Sequence, residues 1–159
     1  MQKWGGRIPP HLSHTTKLER SILQMALTIT IKPHEKLIIG GAVITNGSAK
    51  SELLIENNVP ILRGKDIMSL NMADSPCRRI YLAIQLMYVD QENMAEHHKI
   101  YWELVKDVSE AAPSRIPVLQ EISDKVLNRQ YYQALKLTRK LIAYEQEVIA
   151  NVRSTNASI

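Results

Sequence analysis

The stretch Asp74-Ser75-Pro76-Cys77-Arg78-Arg79-Ile80-Tyr81-Leu82-Ala83-Ile84-Gln85-Leu86-Met87-Tyr88 decides the fold, because the pattern of the chain changes there. Asp74 and Ser75 can accept hydrogen bonds from free backbone N–H groups. Pro76 fits the first helical position, where no N–H is needed. From Ile80 on, apolar residues fall on nearly every side of a helix, the mark of a central buried one. Arg78 and Arg79 stand in its first turn, where the helix dipole disfavours cations. An anionic partner, a nearby carboxylate or an inherited function should explain them.

Upstream of this point the period is that of strands. Leu27, Ile29 and Ile31 alternate with Thr28, Thr30 and Lys32, as in a half-buried strand. Lys32-Pro33-His34-Glu35 reads as a turn, and Leu37-Ile38-Ile39 as the returning strand. Gly40-Gly41 suggests a bulge or sharp bend. Asn46-Gly47, between Ala42–Ile44 and Ser51–Ile55, is a hairpin signal, since both residues tolerate positive φ. A last short strand is expected over Val59–Leu62, with Pro60 placing it at an edge.

Downstream the pattern is helical. A first helix is predicted over about residues 75–89, and a second, capped by Asp90 or Asn93, with Met94, Tyr101, Leu104, Val105 and Val108 on one face. Pro113 ends the second, and Ser114 starts a third that tolerates Pro117 in its first turn. Asn128-Arg129-Gln130 is a break before a fourth helix from about Tyr131 to Ala150, and residues 151–159 are expected to fray. Short connections favour antiparallel helix packing. The fold class is α+β: a small antiparallel sheet of four to five strands (26–62), then a four-helix, bundle-like half (74–150), in one domain over 25–150.

The chain has 159 residues, 45% hydrophobic and 23% charged, ordinary values for a globular protein. No apolar run approaches the ~20 residues of a membrane span. A single cysteine excludes an intrachain disulfide framework and suits a reducing compartment. The net charge of +4 is unevenly placed: Lys3, Arg7, Lys17 and Arg20 lie in the first 24 residues against one acid, Glu19. The body is nearly neutral, so local clusters must carry any argument for a nucleic-acid partner. Residues 1–24 contain Gly5-Gly6 and Pro9-Pro10 and lack sustained periodicity. They are expected to be a disordered tail, with translation naturally starting at Met25.

Two cationic clusters stand out. Arg63 and Lys65 follow the last strand, and Arg78 and Arg79 open the first helix. Lys125, Arg129, Lys136, Arg139 and Lys140 form the second, with Lys136, Arg139 and Lys140 on one helix face. Both could hold phosphates, and Tyr131 and Tyr132 could stack on unpaired bases. The competing account is a solvated helix face and two core tyrosines. The adjacent His97 and His98 point about 100° apart on a helix and do not make a metal site. Cys77, beside two arginines, fits a helix–sheet contact better than a reactive thiolate. No catalytic motif is present, so neither an enzyme nor a cofactor is expected.

Several motifs together resemble the FlbT family of bacterial flagellin regulators. They are Lys32-Pro33-His34-Glu35, Gly41-Ala42-Val43-Ile44-Thr45-Asn46-Gly47, Leu54-Ile55-Glu56-Asn57, Leu62-Arg63-Gly64-Lys65-Asp66-Ile67-Met68, the block through Tyr88, Tyr131-Tyr132-Gln133-Ala134-Leu135, and Arg139-Lys140-Leu141-Ile142-Ala143-Tyr144-Glu145. His34, Gly64 and Cys77 depart from the family pattern. The resemblance implies a cytoplasmic, non-enzymatic regulator acting on the 5′ untranslated region of flagellin mRNA, without a membrane anchor and functionally linked to the small regulator FlaF. The RNA contacts expected are Arg63, Lys65, Arg78 and Arg79, with Arg139 and Lys140 second. The alternative is an adaptor that binds no RNA and works through FlaF or flagellin. A third account makes Arg78 and Arg79 structural, paired with Asp66, Asp74 or Glu56.

Overall fold

Residues 26–156 are described by a computed structural model; the tail expected over residues 1–24 lies outside them. Among the described residues five strands and four helices follow one another: β1 (Leu27–Ile31), β2 (Lys36–Ile39), β3 (Ala42–Thr45), β4 (Ser51–Ile55), β5 (Ile61–Arg63), then α1 (Pro76–Val89), α2 (Met94–Ala111), α3 (Ile116–Leu127) and α4 (Tyr131–Asn156). This is the α+β order read from the sequence. The strands divide into two antiparallel sheets, a β1–β4 pair and a three-stranded sheet ordered β3-β2-β5. Two compact units result among the described residues: 26–36 with Thr45–Val59, and Leu37–Ile44 with 60–156.

In the first unit Leu27 pairs with Ile55 and Ile31 with Ser51. Ile29, Ile31 and Ile55 are buried, whereas Leu27, expected on the same face, is 51% exposed at the strand start. Asn46 does not turn a hairpin between β3 and β4. Its side-chain amide donates to the carbonyls of Lys32 (2.8 Å) and Ala49 (2.9 Å), and its Oδ1 accepts from the Ser51 hydroxyl (2.9 Å). These bonds tie three loop segments together, and β4 pairs with β1 instead of β3.

In the second unit the hairpin joins β2 to β3 across Gly40-Gly41, both at positive φ (55° and 86°), the twist that a two-residue hairpin turn demands. The pair expected to bulge or bend is therefore the turn itself. A Cβ on Gly41 would stand 3.1 Å from the Val89 carbonyl oxygen, a second reason for glycine there. β5 lies at the edge, as Pro60 suggests, with Leu37 opposite Arg63 and Ile39 opposite Ile61.

Ile38 and Leu62 enter the main core with Ile80, Ile84 and Met87 of α1, Tyr101 of α2, Leu119, Ile122 and Val126 of α3, and Ala134, Leu135 and Leu141 of α4. α1 packs against α2 and α4, and α4 also against α3. Each fully buried aliphatic side chain contributes about 1.5–3 kcal/mol, so this cluster dominates the stability of the unit. The buried hydroxyls of the core are matched: that of Tyr101 meets that of Ser123 at 2.9 Å, and Thr138 donates to the Ala134 carbonyl at 2.8 Å. Pro113–Arg115 form a 3-10 turn before α3, with Pro117 in its first turn. Arg129 takes a left-handed φ of 56° at the break before α4. α4 continues past Ala150 to Asn156, about 39 Å at the helical rise.

Candidate nucleic-acid interface

Ser75 caps α1: its Oγ accepts from the Arg78 N–H at 3.3 Å, and Pro76 occupies the first turn. A carboxylate from far along the chain meets the start of this helix. Glu145, on α4, accepts from the Ser75 hydroxyl through one oxygen and from the Cys77 N–H at 3.3 Å through the other. An anion thus sits on the positive end of the α1 dipole. Burial, reinforced by Glu145, pushes the Cys77 thiol up to about 12. Cys77 is therefore a protonated packing residue rather than a thiolate.

Arg78 bends back within its own segment, donating to Asp74 at 2.9 Å and to the Met72 carbonyl at 3.3 Å. Of the three carboxylates considered as partners, Asp74 is the one it uses. Asp66 is taken by Arg139 of α4. Asp66 is only 7% exposed, so its charge would be costly without that partner. The Arg139 guanidinium also donates to the Tyr81 hydroxyl at 3.3 Å, and that hydroxyl donates to the Asp66 carbonyl at 2.7 Å. Burial raises the Tyr81 phenol against the lowering effect of Arg139, so it stays a neutral donor. Gln85 closes the neighbouring backbone, accepting from Met68 N–H at 2.7 Å and donating to its carbonyl at 2.9 Å.

These contacts build a cleft of about 220 Å³. Lys65, Arg78 and Arg139 stand on its wall with Asp66, while Ile67, Met72, Tyr81 and Ile142 supply apolar surface. Lys65 comes from the 3-10 turn Gly64–Asp66, in which the unusual Gly64 takes the first position. Lys65 is exposed and makes no ion pair among the described residues. Three of the six expected contacts therefore converge, from three separate segments. The other three do not line the cleft: Arg63 ends β5, Arg79 bonds the Ala73 carbonyl at 3.4 Å, and Lys140 faces outward next to Arg139.

The second cluster is divided in the same way. Lys136 lies over the ring of Tyr132, its Nζ 4.6 Å from the centroid. Arg139 is the member drawn into the cleft. Tyr131 is buried, with its hydroxyl against the Met94 sulfur at 3.6 Å, so the stacking role expected of both tyrosines is open to Tyr132 alone. His97 is also buried and binds Asp90 through Nε2 at 2.9 Å. Asn93 donates to the same carboxylate oxygen, and the two bonds, Asn93 first, hold Asp90 below the usual carboxylate range. No cluster of three or more potential metal ligands occurs among the described residues, nor any helix long and apolar enough to cross a membrane.

Asp66, considered as a partner of Arg78 or Arg79, pairs with Arg139 instead, and Glu145 was not assigned a partner by local reading. Both stand inside quoted motifs, but their partners lie 73 and 70 residues away. Only the tertiary fold brings them together.

Fold and cleft define a small α+β protein in which Lys65, Arg78 and Arg139 line one cleft, the two arginines paired with Asp74 and Asp66. The model of the family described as Flagellar protein FlbT matches residues 27–149, and the chain belongs to that family. It is 43% identical over 133 residues to the Probable flagellum biosynthesis repressor protein FlbT 1 of Bradyrhizobium diazoefficiens, covering 83% of this chain and 90% of that one. It is 38% identical over 135 residues to the Flagellum biosynthesis repressor protein FlbT of Caulobacter vibrioides, covering 82% and 94%. A Rhodopseudomonas palustris protein named Probable flagellum biosynthesis repressor protein FlbT is 36% identical over 126 residues, covering 79% and 99%. No solved structure matches.

Proposed function

We propose that this protein is a non-enzymatic cytoplasmic regulator of flagellin synthesis, binding the 5′ untranslated region of flagellin mRNA through the cleft of Lys65, Arg78 and Arg139. Membership of a family whose relatives are named flagellum biosynthesis repressors supports the regulatory role. The observation that carries the RNA reading is the convergence of three cations from different segments on one cleft. The carboxylates of Asp66 and Asp74 hold two of the three in place, leaving Lys65 as the free charge. A phosphate entering the cleft would share both guanidinium groups with those acids, and bidentate guanidinium–phosphate contact is geometrically favourable. Arg63, Arg79 and Lys140 are secondary contacts along the approaching strand.

The test is a titration of the native flagellin leader with purified full-length protein at several salt concentrations. The double variant Lys65→Ala/Arg78→Ala is expected to bind more weakly, with a salt slope reduced by ~0.7 per lost contact for an unpaired strand. The pair Arg79→Ala/Lys140→Ala should lose less. Equal binding by the Lys65→Ala/Arg78→Ala protein and the wild type would remove the cleft from the interface.

A second reading makes the protein an adaptor acting through FlaF or flagellin. It is favoured by Leu70 and Met72, 80% and 51% exposed at the cleft margin, where apolar side chains suit a protein partner better than a phosphate. Absence of leader binding at low salt, restored by added FlaF, would decide for the adaptor.

A further inference from the structure

Tyr132 is the exposed aromatic ring nearest in chain position to the cationic residues of α4, and its surroundings are arranged. Its side chain is 41% exposed at the start of the helix. Tyr88 contacts it at 6.3 Å between centroids, tilted by 41°, and the Tyr88 hydroxyl is itself fixed by the Ile61 N–H at 3.3 Å. That contact orients the ring. Lys136 also lies over it, its flexible ammonium 4.6 Å from the ring centre. Tyr132, Lys136 and Arg139 are spaced i, i+4, i+7, so they share one face of α4. The ring stands about 10 Å along the axis from the residue that reaches the cleft.

Building on the RNA reading above, we propose that Tyr132 is a base-stacking platform and that the site takes unpaired rather than duplex RNA. A base entering over the ring displaces the Lys136 ammonium, which then swings to the adjoining phosphate. The cation–π contact in the free protein is exchanged for base stacking plus a phosphate contact. A paired base has no exposed face to give to Tyr132, so the step selects single strands. The selectivity is for an aromatic face and a backbone charge rather than for a particular base edge.

Binding of full-length protein to a short single-stranded oligoadenylate carrying 2-aminopurine, beside its duplex form, tests this. The wild type should bind the single strand more tightly than the duplex and change the 2-aminopurine fluorescence. Tyr132→Ala should weaken single-strand binding by about 5- to 100-fold and abolish the fluorescence change. Tyr132→Phe should retain both, which separates the loss of a ring from a failure to fold. Lys136→Ala should keep the fluorescence change while lowering the salt slope by ~0.7. If the wild type binds RNA but Tyr132→Ala matches it in affinity and fluorescence, the stacking site is overturned and the RNA reading survives. If the wild type binds neither the oligonucleotide nor the flagellin leader, the RNA reading fails and takes the stacking site with it.

Discussion

Asp66, buried at the foot of the cleft, holds the guanidinium of Arg139 across 73 residues of chain, while the Arg139 side chain remains 45% exposed on its other side. The pair is a joint between the 3-10 turn after β5 and the N-terminal third of α4. It also limits how strongly Arg139 can attract another anion. Replacing the acid by its neutral isostere separates these two effects. Asp66→Asn should lower stability by about 1–3 kcal/mol, the usual cost of losing a hydrogen bond to a charged group. It should also strengthen binding of single-stranded RNA at low salt, because Arg139 is freed. Urea unfolding reads the first effect and a salt-resolved titration the second. Weaker RNA binding by a folded Asp66→Asn protein would mean that the pair positions Arg139 rather than competing for it.

Glu145 does for α1 what Asp66 does for Arg139. By accepting from Ser75 and Cys77 it supplies the negative charge that the first turn of α1 otherwise lacks. Glu145→Gln keeps the shape and removes the charge, and should cost about 0.5–2 kcal/mol from the combined capping and dipole contributions. Ser75→Ala removes the hydroxyl that bridges helix and carboxylate. If the two groups act as a unit, the double variant will cost clearly less than the sum of the single ones in urea titrations.

The start of α1 was legible because its signals are local: Ser75, Pro76 and the apolar run from Ile80 are neighbours in sequence. The four helices and five strands followed from periodicity for the same reason. Strand pairing was harder, because two turn signals competed. Gly40-Gly41 and Asn46-Gly47 can both take positive φ, and residue type alone does not choose between them. The choice rests on Asn46 side-chain bonds to Lys32 and Ala49, which exist only once the chain has folded back. The cationic residues of the cleft were likewise visible one by one. Their division into Lys65, Arg78 and Arg139 inside and Arg63, Arg79 and Lys140 outside depends on how α1 and α4 pack.

Cys77 gives the protein an alkaline limit. Its thiol is raised from 9.0 to about 12 by burial and Glu145. The folded state therefore keeps a proton that the unfolded chain releases above pH 9. The stabilisation is complete below that point and is lost as the pH rises from 9 toward 12, by up to about 1.4 kcal/mol per unit from this group. Tyr101, raised from 10.0 to about 12 by burial, acts in the same direction at the upper end of that window. Stability measured in urea should thus fall as the pH rises from about 9 toward 12, and fall less steeply in Cys77→Ala. As the sole cysteine, Cys77 should also resist thiol reagents at neutral pH until the protein unfolds. Rapid labelling of the native protein would contradict this assignment.

The buried contact between Tyr101 and Ser123 offers a double-mutant test of the helical core. Tyr101 on α2 is fully buried and its hydroxyl has one partner, Ser123 on α3 at 2.9 Å. Ser123→Ala removes that partner and leaves a phenol hydroxyl in apolar surroundings, at an expected cost of about 1–3 kcal/mol. Tyr101→Phe strands the smaller hydroxyl of Ser123, which is also buried, and should cost a similar amount. The double variant has no stranded group. It should therefore be more stable than Ser123→Ala, and the coupling energy from urea unfolding of all four proteins should be about 0.5–3 kcal/mol. A coupling near zero would mean that the two hydroxyls are satisfied independently and that this contact does not fix α2 against α3.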